Sequence, residues 1–177
     1  FMEKVTRTGP LTGYRVLDVT GPLGLHCTKL LADMGADVIK IEPPSGDESR
    51  RIPPFKDDIP HPEKSLYFLH FNTNKRSVTL DIEKPDGRAI FLALVRKADV
   101  VLETARPGRM DELGIGYSNL RAQNSGLVYA AVTPFGQTGP WRDYKANDMG
   151  GIALGNLLYL AGEPGELAGR IERRERD

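Results

Sequence analysis

The segment Asn72-Thr73-Asn74-Lys75-Arg76 sets two amides and two cations immediately before the apolar run Ser77-Val78-Thr79-Leu80. Arg forks and Lys point charges suit phosphate oxygens, and the same residues also make an ordinary polar turn between strands. A second segment, Arg106-Pro107-Gly108, again places a cation after an apolar run, Asp99-Val100-Val101-Leu102. Together these segments lead one to expect an acidic ligand held at strand ends. A third constellation is Phe135-Gly136-Gln137-Thr138-Gly139-Pro140, followed by Asn147-Asp148. Its glycines allow close backbone approach, and their N–H groups could stabilise an oxyanion on an acyl or thioester group. The plain alternatives are a flexible connection and, for Asp148, a helix N-cap. His26, His61 and His70 show no metal-ligand spacing, so no metal is expected. Cys27 and His26 are adjacent on a helix and diverge by about 100°, which argues against a nucleophile pair and for a buried structural thiol.

These residues need a scaffold at whose edge they meet. Arg15-Val16-Leu17-Asp18-Val19 reads as a strand that ends at Thr20-Gly21-Pro22. Leu25, Thr28, Leu31, Ala32 and Met34 recur at helical spacing, with Gly35 as the stop. Asp37-Val38-Ile39-Lys40-Ile41-Glu42 is a second strand, so a parallel βαβ unit opens the chain. The stretch 43–64, rich in Pro, Asp, Gly and Lys, predicts a long exposed loop. Tyr67-Phe68-Leu69 and Ser77–Leu80 read as strands, and Lys84 to Lys97 as a helix with Pro85 in its first turn. Short helices are expected near Met110–Leu113 and Ser118–Gln123, a strand over Leu127–Val132, and a helix from Asp148 to Leu160. Alternation of strand and helix implies a doubly wound α/β fold with a mainly parallel sheet, whose ligands lie beyond the carboxyl ends of the strands. Gly21-Pro22-Leu23-Gly24 stands where a dinucleotide fingerprint would lie, but G-x-G-x-x-G is absent and Pro22 lacks an N–H. Gly24 then serves either helix packing or close ligand approach.

Composition narrows the partners. The chain has 177 residues, 24 Lys+Arg and 24 Asp+Glu, so nothing global draws it to nucleic acid or an anionic membrane. No apolar run approaches the roughly 20 residues that span a bilayer. A single cysteine excludes a disulfide framework and fits a reducing, cytoplasmic setting.

The order of motifs resembles the N-terminal part of the family III coenzyme A transferases, the CaiB/BaiF type that includes carnitine and formyl-CoA transferases and the α-methylacyl-CoA racemases. The matching residues are Val16-Leu17-Asp18, the run Leu31–Glu42, Asn74-Lys75-Arg76-Ser77, Arg106-Pro107-Gly108 with Leu113-Gly114, and Phe135–Pro140. The resemblance implies a Rossmann-like CoA-binding domain over residues 1–166 and a charged, divergent tail over 167–177. It implies transfer of CoA between an acyl-CoA thioester and a free carboxylic acid, with CoA as substrate and no prosthetic group. Its CoA contacts map to Gly24, Leu80, Thr104, Arg106 and Lys145. Family chains are about twice this length and interlock as dimers, so a homodimer or a pairing with a longer homologous subunit is expected. The family nucleophile is an aspartate in a Gly-Asp turn; Asp177 falls near that place, but Arg174-Glu175-Arg176 supply no glycine. The tail therefore reads as truncated or frameshifted, and a non-catalytic CoA-binding subunit is the alternative function. Two further readings are disfavoured. The racemases carry a histidine where this chain has Asn147, and an amide cannot exchange an α-proton. A dinucleotide oxidoreductase lacks its fingerprint. Two other departures are Glu83, one residue before Lys84, where the family often has lysine, and Thr104-Ala105 in place of Asn-Phe.

Overall fold

The computed structural model describes residues 8–155. Five strands form one all-parallel sheet: β1 (Arg15–Val19), β2 (Asp37–Glu42), β3 (Arg76–Thr79), β4 (Val100–Glu103) and β5 (Val128–Ala131), in the order β3-β2-β1-β4-β5. The register sets Asp18 beside Lys40 and Leu102, and Glu42 beside Thr79. The strand order reverses between β1 and β4, so a crevice is expected at their carboxyl ends.

Side chains alternate across this sheet, and each face has its own core. On one face Val16, Val38 and Leu102 pack with Ala32 of α1 (Leu25–Asp33). On the other, Leu17, Ile41 and Val101 pack with Phe91 and Val95 of α3 (Pro85–Val95), Met110 of α4 (Arg109–Glu112) and Leu120 of α5 (Tyr117–Gln123). Phe91, Leu17 and Leu120 are fully buried; each such side chain contributes about 1.5–3 kcal/mol. Pro85 starts α3, where its missing N–H costs nothing.

Several expectations need correction. Tyr67-Phe68-Leu69 lie not in a strand but in α2 (Leu66–Phe71). Ser65 caps that helix, its hydroxyl accepting from Phe68 N at 3.1 Å, and this local bond outweighs the β preference of the aromatic residues. The 43–64 stretch is largely exposed, as expected, but it is not featureless. It carries 3₁₀ turns over Glu48–Arg51 and Lys56–Asp58 and buries Asp47, Ser49 and Glu42 beneath them. Cys27 is exposed, because Leu25, Thr28 and Ala32 take the buried stripe of α1. Asn147, not Asp148, caps α6 (Asp148–Leu154), with Oδ1 accepting from Gly150 N at 2.8 Å. The rest of the helix expected to reach Leu160 lies outside the described residues.

Candidate functional site

Four segments meet the carboxyl edge of the sheet, and the buried polar groups beneath two of them explain their shape. The first is the turn Thr20–Gly24. Asp18, fully buried, accepts from Thr20 N at 3.0 Å and Thr20 Oγ1 at 2.6 Å. Lys40 donates to Thr20 O at 2.7 Å and lies 2.9 Å from Asp47 Oδ2 and 4.0 Å from Asp18 Oδ1. Burial raises the Asp18 carboxyl, but the Lys40 and Lys75 ammonium groups, with the Thr20 and Thr28 hydroxyls, outweigh it and hold it below the ordinary range.

The second segment is the strap formed by residues 43–64. Glu42 at the end of β2 receives Arg50 Nε at 2.6 Å and Nη2 at 2.8 Å, plus Asp47 N at 3.1 Å. Burial works against this carboxylate's charge, yet the Arg50 and Ser77 hydrogen bonds pull its pKa down to about 2. Arg50 also stacks on Phe68, its guanidinium 3.7 Å from the ring centroid. Asp47 caps the 3₁₀ turn by accepting from Ser49 N at 2.8 Å, and Ser65 Oγ donates to Ile52 O at 2.7 Å.

The third segment follows β4. Thr104 Oγ1 accepts from Gly21 N at 2.8 Å and ties this turn to the first. Gly108, in the left-handed region at φ 82°, caps α4. Among the described residues no cation pairs with the buried Glu103: Tyr129 donates to Oε1 at 3.1 Å and Ala105 N to Oε2. Burial raises the Glu103 carboxyl, those two bonds oppose it, and the nearby Asp111 charge adds to it. Burial and the Glu103 charge likewise raise the Tyr129 phenol.

The fourth segment follows β5, where Phe135 meets Trp141 and Tyr144 edge-on at 6.4 and 6.1 Å. With Leu23, Asn147, Asp148 and Ile152, Phe135 and Trp141 line a cleft of about 730 Å³. Its walls are mostly apolar with a few polar groups, as small-molecule sites tend to be.

The six expected site residues divide. Gly24 and Thr104 are together: a Cβ on Gly24 would stand 2.6 Å from Thr20 Cγ2 and 2.9 Å from Thr104 Cγ2. That crowding comes from the protein's own side chains, so close packing explains Gly24. Leu80 follows β3, but its side chain belongs to the core and its N–H is donated to Glu42 O at 2.8 Å. Arg106 and Lys145 are both exposed on segments of this edge. Arg106 meets Glu112 at 2.6 Å in a surface pair, and Arg142 lies near Gly108, bringing the third and fourth segments together. Asp177 lies outside the described residues.

The phosphate reading of Asn74-Lys75-Arg76 does not hold. Lys75 is buried, donating to Asp18 at 3.0 Å, Thr28 Oγ1 at 2.7 Å and Asn72 Oδ1 at 2.9 Å. Burial pushes its ammonium below the ordinary lysine range, with Asp18 opposing. Arg76 pairs with Asp37 at 2.6 Å, at the amino end of β2, and Asn74 Nδ2 donates to Asp33. Sequence reasoning missed the buried network of Asp18, Lys40, Asp47 and Lys75. One signal was present: Asp18 shares its strand face with Val16, and Lys40 shares its face with Val38. Charges there must be paired if that face is covered. Among the described residues no His/Cys/Asp/Glu cluster has metal-binding geometry, and no helix is long and apolar enough to cross a membrane.

The chain matches CoA-transferase family III over residues 11–171, and it belongs to that family. It is 42% identical over 153 residues to the succinyl-CoA:(R)-benzylsuccinate CoA-transferase subunit BbsE of Thauera aromatica, covering 86% of this chain and 37% of that protein. It is 44% identical over 161 residues to the acetyl-CoA:oxalate CoA-transferase of Acetobacter aceti, covering 88% and 39%. A CaiB/BaiF family protein from Brucella suis superposes with a TM-score of 0.82 at 35% identity, over 90% of this chain and 43% of that one. The chain thus spans about two-fifths of the length of the relatives it matches.

Proposed function

We propose that this chain carries the CoA-binding half of a transferase that moves CoA from an acyl-CoA thioester to a free carboxylic acid. Family membership supports the reaction class. The observation that carries the binding role is the distribution of cations. Lys40, Lys75 and Arg50 are committed to buried or half-buried carboxylates, whereas Arg106 and Lys145 stand exposed at the ligand edge. The Arg106–Glu112 pair is an exposed, solvent-screened contact, so a phosphate can displace it. Gly24, Leu80 and Thr104 then supply the backbone and hydroxyl surroundings of the pantetheine.

In this reading a carboxylate attacks the thioester carbonyl, forming a mixed anhydride and releasing the CoA thiolate. The thiolate attacks the enzyme's side of the anhydride, giving an enzyme–CoA thioester and the first free acid. The acceptor carboxylate attacks that thioester, and the returning thiolate forms the new acyl-CoA and restores the carboxylate. Asp177 is the carboxylate assigned to this role. A non-catalytic CoA-binding subunit is the second reading, favoured by the Arg174-Glu175-Arg176 context and by the Thauera relative's being named a subunit. Either way the chain works in the cytoplasm, as a homodimer or beside a longer homologous subunit.

Calorimetric titration with CoA tests the binding role. Arg106→Ala should weaken CoA by about 1–3 kcal/mol, the range of a charge-assisted contact. An unchanged affinity overturns the assignment.

A further inference from the structure

The strap places a carboxylate over the first ligand-edge turn. A Cβ on Gly21 would stand 2.8 Å from Glu48 Oε1 and 3.7 Å from Thr104 Oγ1. A carboxylate and a hydroxyl therefore converge on bare backbone, two residues before Leu23 of the cleft wall. Glu48 is exposed, and its side chain has no hydrogen bond or ion pair among the described residues. Its neighbours are fixed on both sides. Asp47 is buried against Lys40 at 2.9 Å, Ser49 is fully buried, and Arg50 holds Glu42 at 2.6 Å. The fold thus anchors, with buried ion pairs, the backbone around a side chain that has no partner among the described residues.

We propose that Glu48 is a specificity-determining residue that faces the acyl end of a bound CoA thioester and selects acyl groups bearing a hydroxyl. The proposal rests on the CoA-binding reading above. An ionised carboxylate only accepts hydrogen bonds, so the ligand group it meets must donate. A hydroxyl satisfies it, whereas an alkyl group strips its water and returns no partner. Asp47 and Lys40 are positioning residues for it, acting through the strap backbone.

The experiment is calorimetric titration of the protein with free CoA, butyryl-CoA and 3-hydroxybutyryl-CoA, on the unmodified chain, Glu48→Ala and Glu48→Gln. The unmodified chain should prefer the hydroxyacyl ester by about tenfold, the scale of one hydrogen bond to a charged group. Glu48→Ala should bring the ratio near one with CoA affinity unchanged, and Glu48→Gln, which keeps an acceptor, should retain part of the preference. Three outcomes overturn the proposal while leaving CoA binding standing: equal affinity for both esters in the unmodified chain, a ratio unmoved by Glu48→Ala, or an equal loss of free CoA, which would place Glu48 against the CoA portion. Failure of all three ligands to bind overturns the CoA reading itself and this assignment with it.

Discussion

Glu42 and Glu103 end β2 and β4 on opposite faces of one sheet, and each is only 3% exposed. One is pulled down to about 2 and the other pushed up. Their neighbours account for the difference. Glu42 faces the strap and receives the Arg50 guanidinium twice, whereas Glu103 faces the apolar core and, among the described residues, receives a phenol and a backbone N–H. Burial acts the same way on both, so the partner decides the sign. One face of the ligand edge is held together by ions and the other by packing.

The sharpest way to break this contrast is Lys40→Met. It removes the direct ion pair of buried Asp47 and leaves Asp18 paired with Lys75, and should cost about 3–5 kcal/mol in urea unfolding. A loss under about 1 kcal/mol would mean that the ionic face is no more than decoration.

The second test uses acid. A carboxyl with a depressed folded pKa binds fewer protons folded than unfolded, so its contribution is complete above its ordinary value and lost as pH falls. Glu42 should therefore hold its full contribution above pH 4.5 and lose it as pH drops toward 2. Glu103 has the opposite sign: its contribution is present below 4.5 and lost as pH rises through its elevated folded pKa. Unfolding midpoints from neutral pH into acid should show Glu42→Gln removing stability at neutral pH but little in acid. A Glu42→Gln loss that does not shrink in acid contradicts the assignment.

The smallest effect is expected from Glu103→Gln at neutral pH. The amide keeps one of two acceptors and relieves a buried charge, so the net change should stay within about 1 kcal/mol. A loss as large as that of Lys40→Met would reveal a cation near Glu103 that the described residues do not contain.

Much of the sheet is legible from apolar runs such as Val16-Leu17 and Val100-Val101-Leu102, and the carboxyl-edge turns follow from strand direction alone. Tyr67–Leu69 misled because a single capping hydroxyl, Ser65, decides a six-residue helix. Lys75 misled for a deeper reason. Its sequence neighbours are polar, but its partners Asp18 and Thr28 lie far away in the chain, and only the folded sheet brings them to its ammonium. Arg106 and Lys145 stand on segments of the expected edge, whereas Glu48 drew no notice because a glutamate in a polar stretch looks ordinary until its distance to Gly21 is known.

The crowding at Gly24 constrains how this sequence can drift. A side chain at position 24 needs room now filled by the methyl groups of Thr20 and Thr104. Neither threonine gains by shrinking while glycine remains, since both hydroxyls are in use, Thr20 donating to Asp18 and Thr104 accepting from Gly21. The three positions are therefore epistatic: they can change only in concert, and each single step passes through a less stable protein. Among related sequences, residues at 20, 24 and 104 should covary, a historical lock that a ligand contact at glycine would not by itself impose.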